Sequence, residues 1–122
     1  MENFLKQKLQ QDYLDCVAVD KAILMGTIRK EEGTLILFDL LDYVKSDIAT
    51  MDKVSWEILI KAEGKILEEN EKRKDLLFKD RRVRDSSEKR ELELSMLRED
   101  YSSCKAMLYF IQNLAYTQGW FS

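Results

Sequence analysis

Paired carboxylates at helical spacing are the residues of this chain that come nearest to a reactive site. Glu63 stands with Glu68 and Glu69, and Glu91 stands with Glu93. Inside a helical bundle such pairs can hold a metal ion or share a proton. A bundle metal site of that kind also uses a histidine three residues after a glutamate, and the chain contains no histidine. We therefore interpret these carboxylates as solvated surface residues and predict no metal and no cofactor.

Other catalytic groups are also scarce. Four isolated glycines form neither of the glycine-rich loops that bind phosphates. Cys16 and Cys104 are predicted to be reduced, buried thiols, and a disulfide between them is the less favoured alternative. No catalytic residue is predicted. A small enzyme remains as a minor alternative, which would be tested at Glu63, Tyr101 and Cys104.

A basic segment from Lys72 to Arg90 carries the only strong local charge. It has nine basic residues against four acidic ones, whereas the whole chain has a net charge of −3. Such a segment can bind nucleic-acid phosphates or an acidic protein surface, or it can simply keep a helical turn solvated. Only Phe78 could stack on a base, so protein is favoured over nucleic acid. The residues predicted to bind a partner here are Lys79, Arg81, Arg82, Arg84, Lys89 and Arg90.

A second predicted partner site is the C-terminal segment LAYTQGWFS. Its aromatic residues are Tyr116, Trp120 and Phe121, and aromatic residues are frequent in binding hot spots. The favoured alternative is that they close one end of the fold by packing beside Trp56. In that case the segment contributes to stability rather than to binding.

The elements that carry these residues are predicted to be helices. The last helix has an apolar or small residue every three or four positions, at Leu94, Leu97, Tyr101, Cys104, Leu108, Ile111 and Ala115. Asp85 is placed to cap its start, with Glu88 completing a capping box. Gly119 is placed to end it, with Trp120 folding back onto the last turn. A stripe this regular can also continue into a second chain, so a homodimer is an open alternative.

A long helix over about residues 52 to 84 precedes it. If the chain reverses near Val83 to Ser87, the two helices form an antiparallel hairpin with Trp56 opposite Ile111 and Leu59 opposite Leu108. Few apolar residues lie between Glu68 and Glu91. The distal end of the hairpin is therefore predicted to project or fray.

The first half contains two more helical patterns, within MENFLKQKLQQDYLDCVAV and TLILFDLLDYVKSDIATMD. Between them, a helix–loop–helix corner at Lys30–Gly33 is favoured over two short strands joined at KEEG. A two-stranded hairpin is only marginally stable without further strands.

The predicted fold is all-α, a single domain forming an antiparallel bundle of about four helices. Residues 1–50 form the N-terminal helices, 51–118 a long coiled-coil-like hairpin and 119–122 an aromatic tail. The predicted function is a non-enzymatic adaptor, chaperone or assembly subunit; the alternative is a nucleic-acid-binding protein that uses Lys72–Arg90. No uninterrupted apolar run suits a membrane span or signal peptide. A cytoplasmic or nuclear location is expected, with no membrane as partner.

Overall fold

The computed structural model describes residues 2–80 and 86–121 of the chain, and the side chains of residues 3–76 and 87–121. The described residues form four helices and no strand. The helices are α1 (Glu2–Leu24), α2 (Lys30–Met51), α3 (Lys53–Asp80) and α4 (Ser86–Gln118). The predicted all-α bundle is confirmed. The proposed cap at Asp85 and the predicted end of α3 lie outside the described residues.

The corner between α1 and α2 is made by Gly26. Its φ of 75° lies in the left-handed region that glycine adopts at little cost. The N–H of Gly26 donates to the carbonyl of Ile23, and the N–H of Thr27 donates to that of Ala22, a bond pair that closes a helix end. The helix–loop–helix prediction is therefore confirmed and the two-strand alternative is wrong. Its position is corrected, because the predicted corner at Lys30–Gly33 is the first turn of α2.

Gly33 has a packing role in α2. A Cβ added at this residue would lie 2.3 Å from Cγ1 of Ile23, so the missing side chain lets α1 approach closely. The predicted corner included Gly33, but this glycine lies inside α2.

Asp52 alone separates α2 from α3. Its backbone N–H donates to the carbonyl of Ile48 at the end of α2. Its carboxylate accepts from the N–H of Val54 at 3.1 Å and from the hydroxyl of Ser55 at 2.7 Å, which caps the start of α3. One residue thus ends one helix and begins the next.

The core lies where all four helices meet, and we call this region the body. Its fully enclosed apolar side chains are Leu9, Cys16, Leu37, Val44, Ile48, Leu59, Ile111 and Ala115. On α4 the predicted stripe is buried from Tyr101 to Ala115, whereas Leu94 and Leu97 are only half-buried. We call residues 72–80 and 86–93, which lie beyond the body, the distal end; there Leu76 is 60% exposed, whereas Leu92 is 4% exposed.

Polar pairs join α3 to α4 next to the distal end. The amide of Asn70 donates to Asp100 at 3.1 Å, and Arg73 pairs with Glu99 at 3.2 Å. The antiparallel course remains a prediction, which these pairs favour. The predicted alignment would set Asn70 opposite Leu97, about three residues from Asp100. Side chains lean toward the start of their own helix, so in antiparallel neighbours the residues that meet are not at the same height.

Candidate functional site

The predicted basic site is described only in part. The side chain of Lys79 and residues Arg81, Arg82 and Arg84 lie outside the described residues, while Lys89 and Arg90 are exposed. Earlier in the segment the positive charge is shared with carboxylates. These ion pairs are Lys72 with Glu68, Arg73 with Glu99 and Lys74 with Asp100.

The aromatic tail packs against α1. Trp120 is 7% exposed, and its carbonyl accepts a hydrogen bond from Gln10 at 2.8 Å. The ring of Phe121 lies 4.9 Å from that of Tyr13 and 5.9 Å from that of Tyr116. Gly119, with φ of 73°, makes the turn that brings the chain back. Of the predicted tail site, only Tyr116 remains largely exposed.

A groove that the sequence did not predict runs between the start of α2 and the first half of α4. We call it the corner groove. It consists of two adjoining hollows of about 430 Å³ and 310 Å³ that share Glu31, Leu94 and Leu97. Its full lining is Arg29, Lys30, Glu31, Arg90, Glu93, Leu94, Leu97 and Arg98.

Cations surround an apolar floor in the corner groove. Four basic side chains face two carboxylates, a surplus of two positive charges. Lys30 lies 4.7 Å from the ring centre of Tyr101, a cation–π contact that fixes its position. Arg29 approaches Glu32 at 3.6 Å and stays 79% exposed, so this pair consumes little of its charge. The corner groove thus combines a surplus of positive charge with two apolar side chains, Leu94 and Leu97.

The sequence did contain a signal for this groove. Leu94 and Leu97 begin the stripe of α4, but α1 and α2 turn at the corner beside them. The apolar stripe of α4 therefore begins before the part of the helix that the body covers fully. The regular spacing predicted a fully buried stripe, whereas its first members, Leu94 and Leu97, are only half-buried beside the Gly26 turn.

A second polar cluster, also missed, joins α1 to α2. Lys8 contacts Asp47 at 2.7 Å and Asp12 at 2.9 Å. Asp47 is 5% exposed, and its Oδ2 has no hydrogen-bond partner among the described residues. Burial, and after it the adjoining carboxyl of Asp12, raise the pKa of Asp47 to about 6, while Lys8 acts in the opposite direction. When protonated, Asp47 can donate to Asp12, which lowers the pKa of Asp12.

A third cluster connects α1 to α4. The hydroxyl of Tyr101 donates to Asp20, which also binds Lys105 at 2.6 Å. Burial and then Asp20 raise the pKa of Tyr101 above its ordinary value, so the phenol keeps its proton at neutral pH. This cluster holds the two helices together beside the corner groove.

Two residues named for the enzyme alternative, Glu63 and Cys104, lie in surroundings that suit a structural role. Glu63 binds Lys45 at 2.6 Å, and the two line a cavity of about 120 Å³ that Cys104 also reaches. Burial raises the pKa of Cys104 to about 12, so its thiol is a poor nucleophile. Burial likewise raises the pKa of Cys16 to about 12. Both thiols are unpaired and buried, as predicted.

Two further features concern metals and membranes. In residues 2–80 and 86–121, no group of three carboxylate or thiol side chains is arranged to hold a metal ion. Within the same ranges, no helix combines the length and apolar character needed to cross a bilayer.

Comparison with known proteins gives no relative from which a role could be carried over. No family model, no curated protein and no solved structure matches this chain.

Proposed function

We propose that this chain is a non-enzymatic protein–protein interaction module, an adaptor, chaperone or assembly subunit. The partner would be a protein, and a second copy of the chain is one candidate. A long α3–α4 hairpin, antiparallel and coiled-coil-like, would present its basic distal end beside the binding faces. Two unpaired thiols favour a reducing compartment, the cytoplasm or nucleus.

The observation that carries the proposal is the outward face of α2. Seven residues on one side of this helix are buried in the body. Its other side is also rich in apolar residues, and Leu35 is 66% exposed. The exposed apolar side chains of α2 are Leu35, Ile36, Phe38 and Tyr43.

A helix that is apolar on both sides is normally covered on both sides. Covering one Leu or Ile side chain is worth about 2 kcal/mol, so a partner over several of these residues would bind with useful affinity. This would explain why the run TLILF in α2 is apolar at nearly every position. One side of it packs in the body and the other binds a partner.

Paired substitutions on exposed faces test this proposal. In one variant Leu35 and Tyr43 become Gln; in the matched control Val54 and Ile58 of α3, which are also exposed, become Gln. Each protein is immobilised, exposed to a lysate of the native host with and without nuclease, and examined for self-association by analytical ultracentrifugation. We expect a nuclease-resistant protein partner, or a dimer, that the control retains and the α2 variant loses.

Two outcomes would contradict the proposal. Equal binding by both variants would show that the outward face of α2 is not used. Recovery of nuclease-sensitive nucleic acid, lost when Arg81, Arg82 and Arg84 are all changed to Glu, would instead favour the nucleic-acid alternative.

A further inference from the structure

We propose that the corner groove binds a short acidic amphipathic helix of a protein partner. The inference deepens the proposed function and rests on it in one respect, that the partner is a protein. It adds the site, the charge and the shape of the segment that docks.

The floor of the groove is suited to a helix. Leu94 and Leu97 continue the buried stripe of α4 past the point where α1 and α2 turn away. Residues three and four apart on a helix form one ridge, and a second helix can seat its own apolar residues beside such a ridge. The part of Leu94 and Leu97 that is still exposed therefore has a shape that a second helix can cover.

The rim determines the charge of the ligand. Arg90 and Arg98 lie on the same helix about 12 Å apart along its axis, which is about two turns. Within the described part of the chain neither forms an ion pair, and both are exposed. Arg29 and Lys30 stand on the opposite wall. A ligand helix with carboxylates on its flanks could meet cations on both sides while its apolar face covers the leucines.

The same lining favours protein over nucleic acid. Glu31 and Glu93 interrupt the cations of the groove. A peptide can place its few carboxylates away from them, whereas a nucleic-acid backbone carries a negative charge at every nucleotide. The nearby ring of Tyr101 is 9% exposed and lies under Lys30, so it is not open for base stacking. Apolar floor residues add nothing to phosphate binding. An amphipathic acidic peptide can use both the cations of the rim and the apolar floor.

Selection from a peptide library tests the proposal on the full chain. A displayed library of random peptides of about 16 residues, enough for four helical turns, is selected on the wild-type protein. The binders are then compared on a variant with Arg90→Glu and Arg98→Glu, which takes no part in the selection. The control variant carries Lys61→Glu and Lys65→Glu, two exposed lysines of α3, and has the same net charge. Circular dichroism confirms that each variant is folded.

We expect the selected peptides to carry Asp or Glu together with apolar residues at helical spacing. Measured by fluorescence anisotropy, their Kd should weaken at least about tenfold in the groove variant and less than about twofold in the control. A scrambled peptide of equal composition, without an apolar face, should bind at least about tenfold more weakly.

Several results would overturn the proposal. Selected peptides without an acidic bias, or equal loss of binding in both variants, would remove the groove from consideration. Tighter binding of a 20-mer DNA duplex than of any peptide, lost in the groove variant, would assign the groove to nucleic acid. These outcomes differ from failure of the proposed function, because that depends on Leu35 and Tyr43, which neither charge variant alters.

Discussion

The body and the distal end are built from the same two long helices, α3 and α4, but their side chains meet different surroundings. In the body Leu59 and Ile111 have no exposed surface, and α1 and α2 cover them. Toward the distal end Leu76 is 60% exposed, Leu92 is the one buried apolar side chain among those the structure describes there, and charged pairs such as Arg73 with Glu99 join the helices. Stability is therefore concentrated in the body, which leaves the distal end and the corner groove free to vary with little effect on folding.

The largest expected effect comes from removing a side chain of the body. Leu37→Ala should lower the free energy of unfolding by about 3 kcal/mol, because it leaves a cavity in the core. Leu35→Ala, two residues earlier on the exposed side of α2, should change it by less than about 0.5 kcal/mol. Urea denaturation measures both. Equal losses would mean that the outward face of α2 is already covered in the free protein.

Replacing glycine by alanine should lower the stability at one position and raise it at another. Gly33→Ala places a Cβ against Ile23 and should destabilise the body by about 1 kcal/mol, despite the higher helix propensity of alanine. Gly64→Ala meets no atom within 4 Å and should stabilise α3 by about 1 kcal/mol. Melting temperatures of the two variants give the signs. Stabilisation by both would show that α1 and α2 are not closely packed.

Asp47 should make the stability of the body depend on pH. Its pKa is about 6 in the folded protein, against an ordinary value of 3.8. The folded state binds this proton more tightly, so the stabilisation is fully present below pH 3.8 and is lost as the pH rises through 6. Asp47→Asn supplies a permanent donor to Asp12. The variant should be more stable than the wild type by about 1 kcal/mol near pH 7.5, with a flatter profile.

Urea titrations between about pH 5 and pH 7.5 measure this difference. The control is Asp42→Asn, since the side chain of Asp42 is 71% exposed. It should leave the pH profile unchanged. A wild-type profile that rises with pH over this interval would contradict the account of Asp47.

The smallest expected effect is at the ion pair beside the distal end. A double-mutant cycle with Arg73→Ala and Glu99→Ala should give a coupling energy below about 0.5 kcal/mol, because Arg73 is largely exposed and solvent screens the pair. The cycle is measured by urea denaturation at low and high salt. A salt-independent coupling above about 1 kcal/mol would show that this region is as closely packed as the body.

The helices could be predicted from the sequence because apolar spacing is a local property. The stripe of α4 predicted the buried residues from Tyr101 to Ala115, and Gly119 correctly marked its end. The position of the corner was predicted wrongly, because the role of Gly33 is not a local property: it depends on how closely α1 approaches α2.

The candidate site was less accessible to prediction. The corner groove combines residues from the start of α2 with residues about sixty positions later on α4. No single stretch of sequence contains both walls. The pairing of Lys8 with Asp47 is missed for the same reason, because it depends on α1 meeting α2.

Hydrogen exchange, measured by mass spectrometry on the full chain with and without a selected acidic peptide, tests the central claim most directly. The claim is that a partner covers the corner groove and does not cover residues 54–66 of α3. The account predicts slower exchange in segments covering residues 29–38 and 90–98, with no change over residues 54–66. Unchanged exchange in the first two segments, or protection confined to α3, would contradict it.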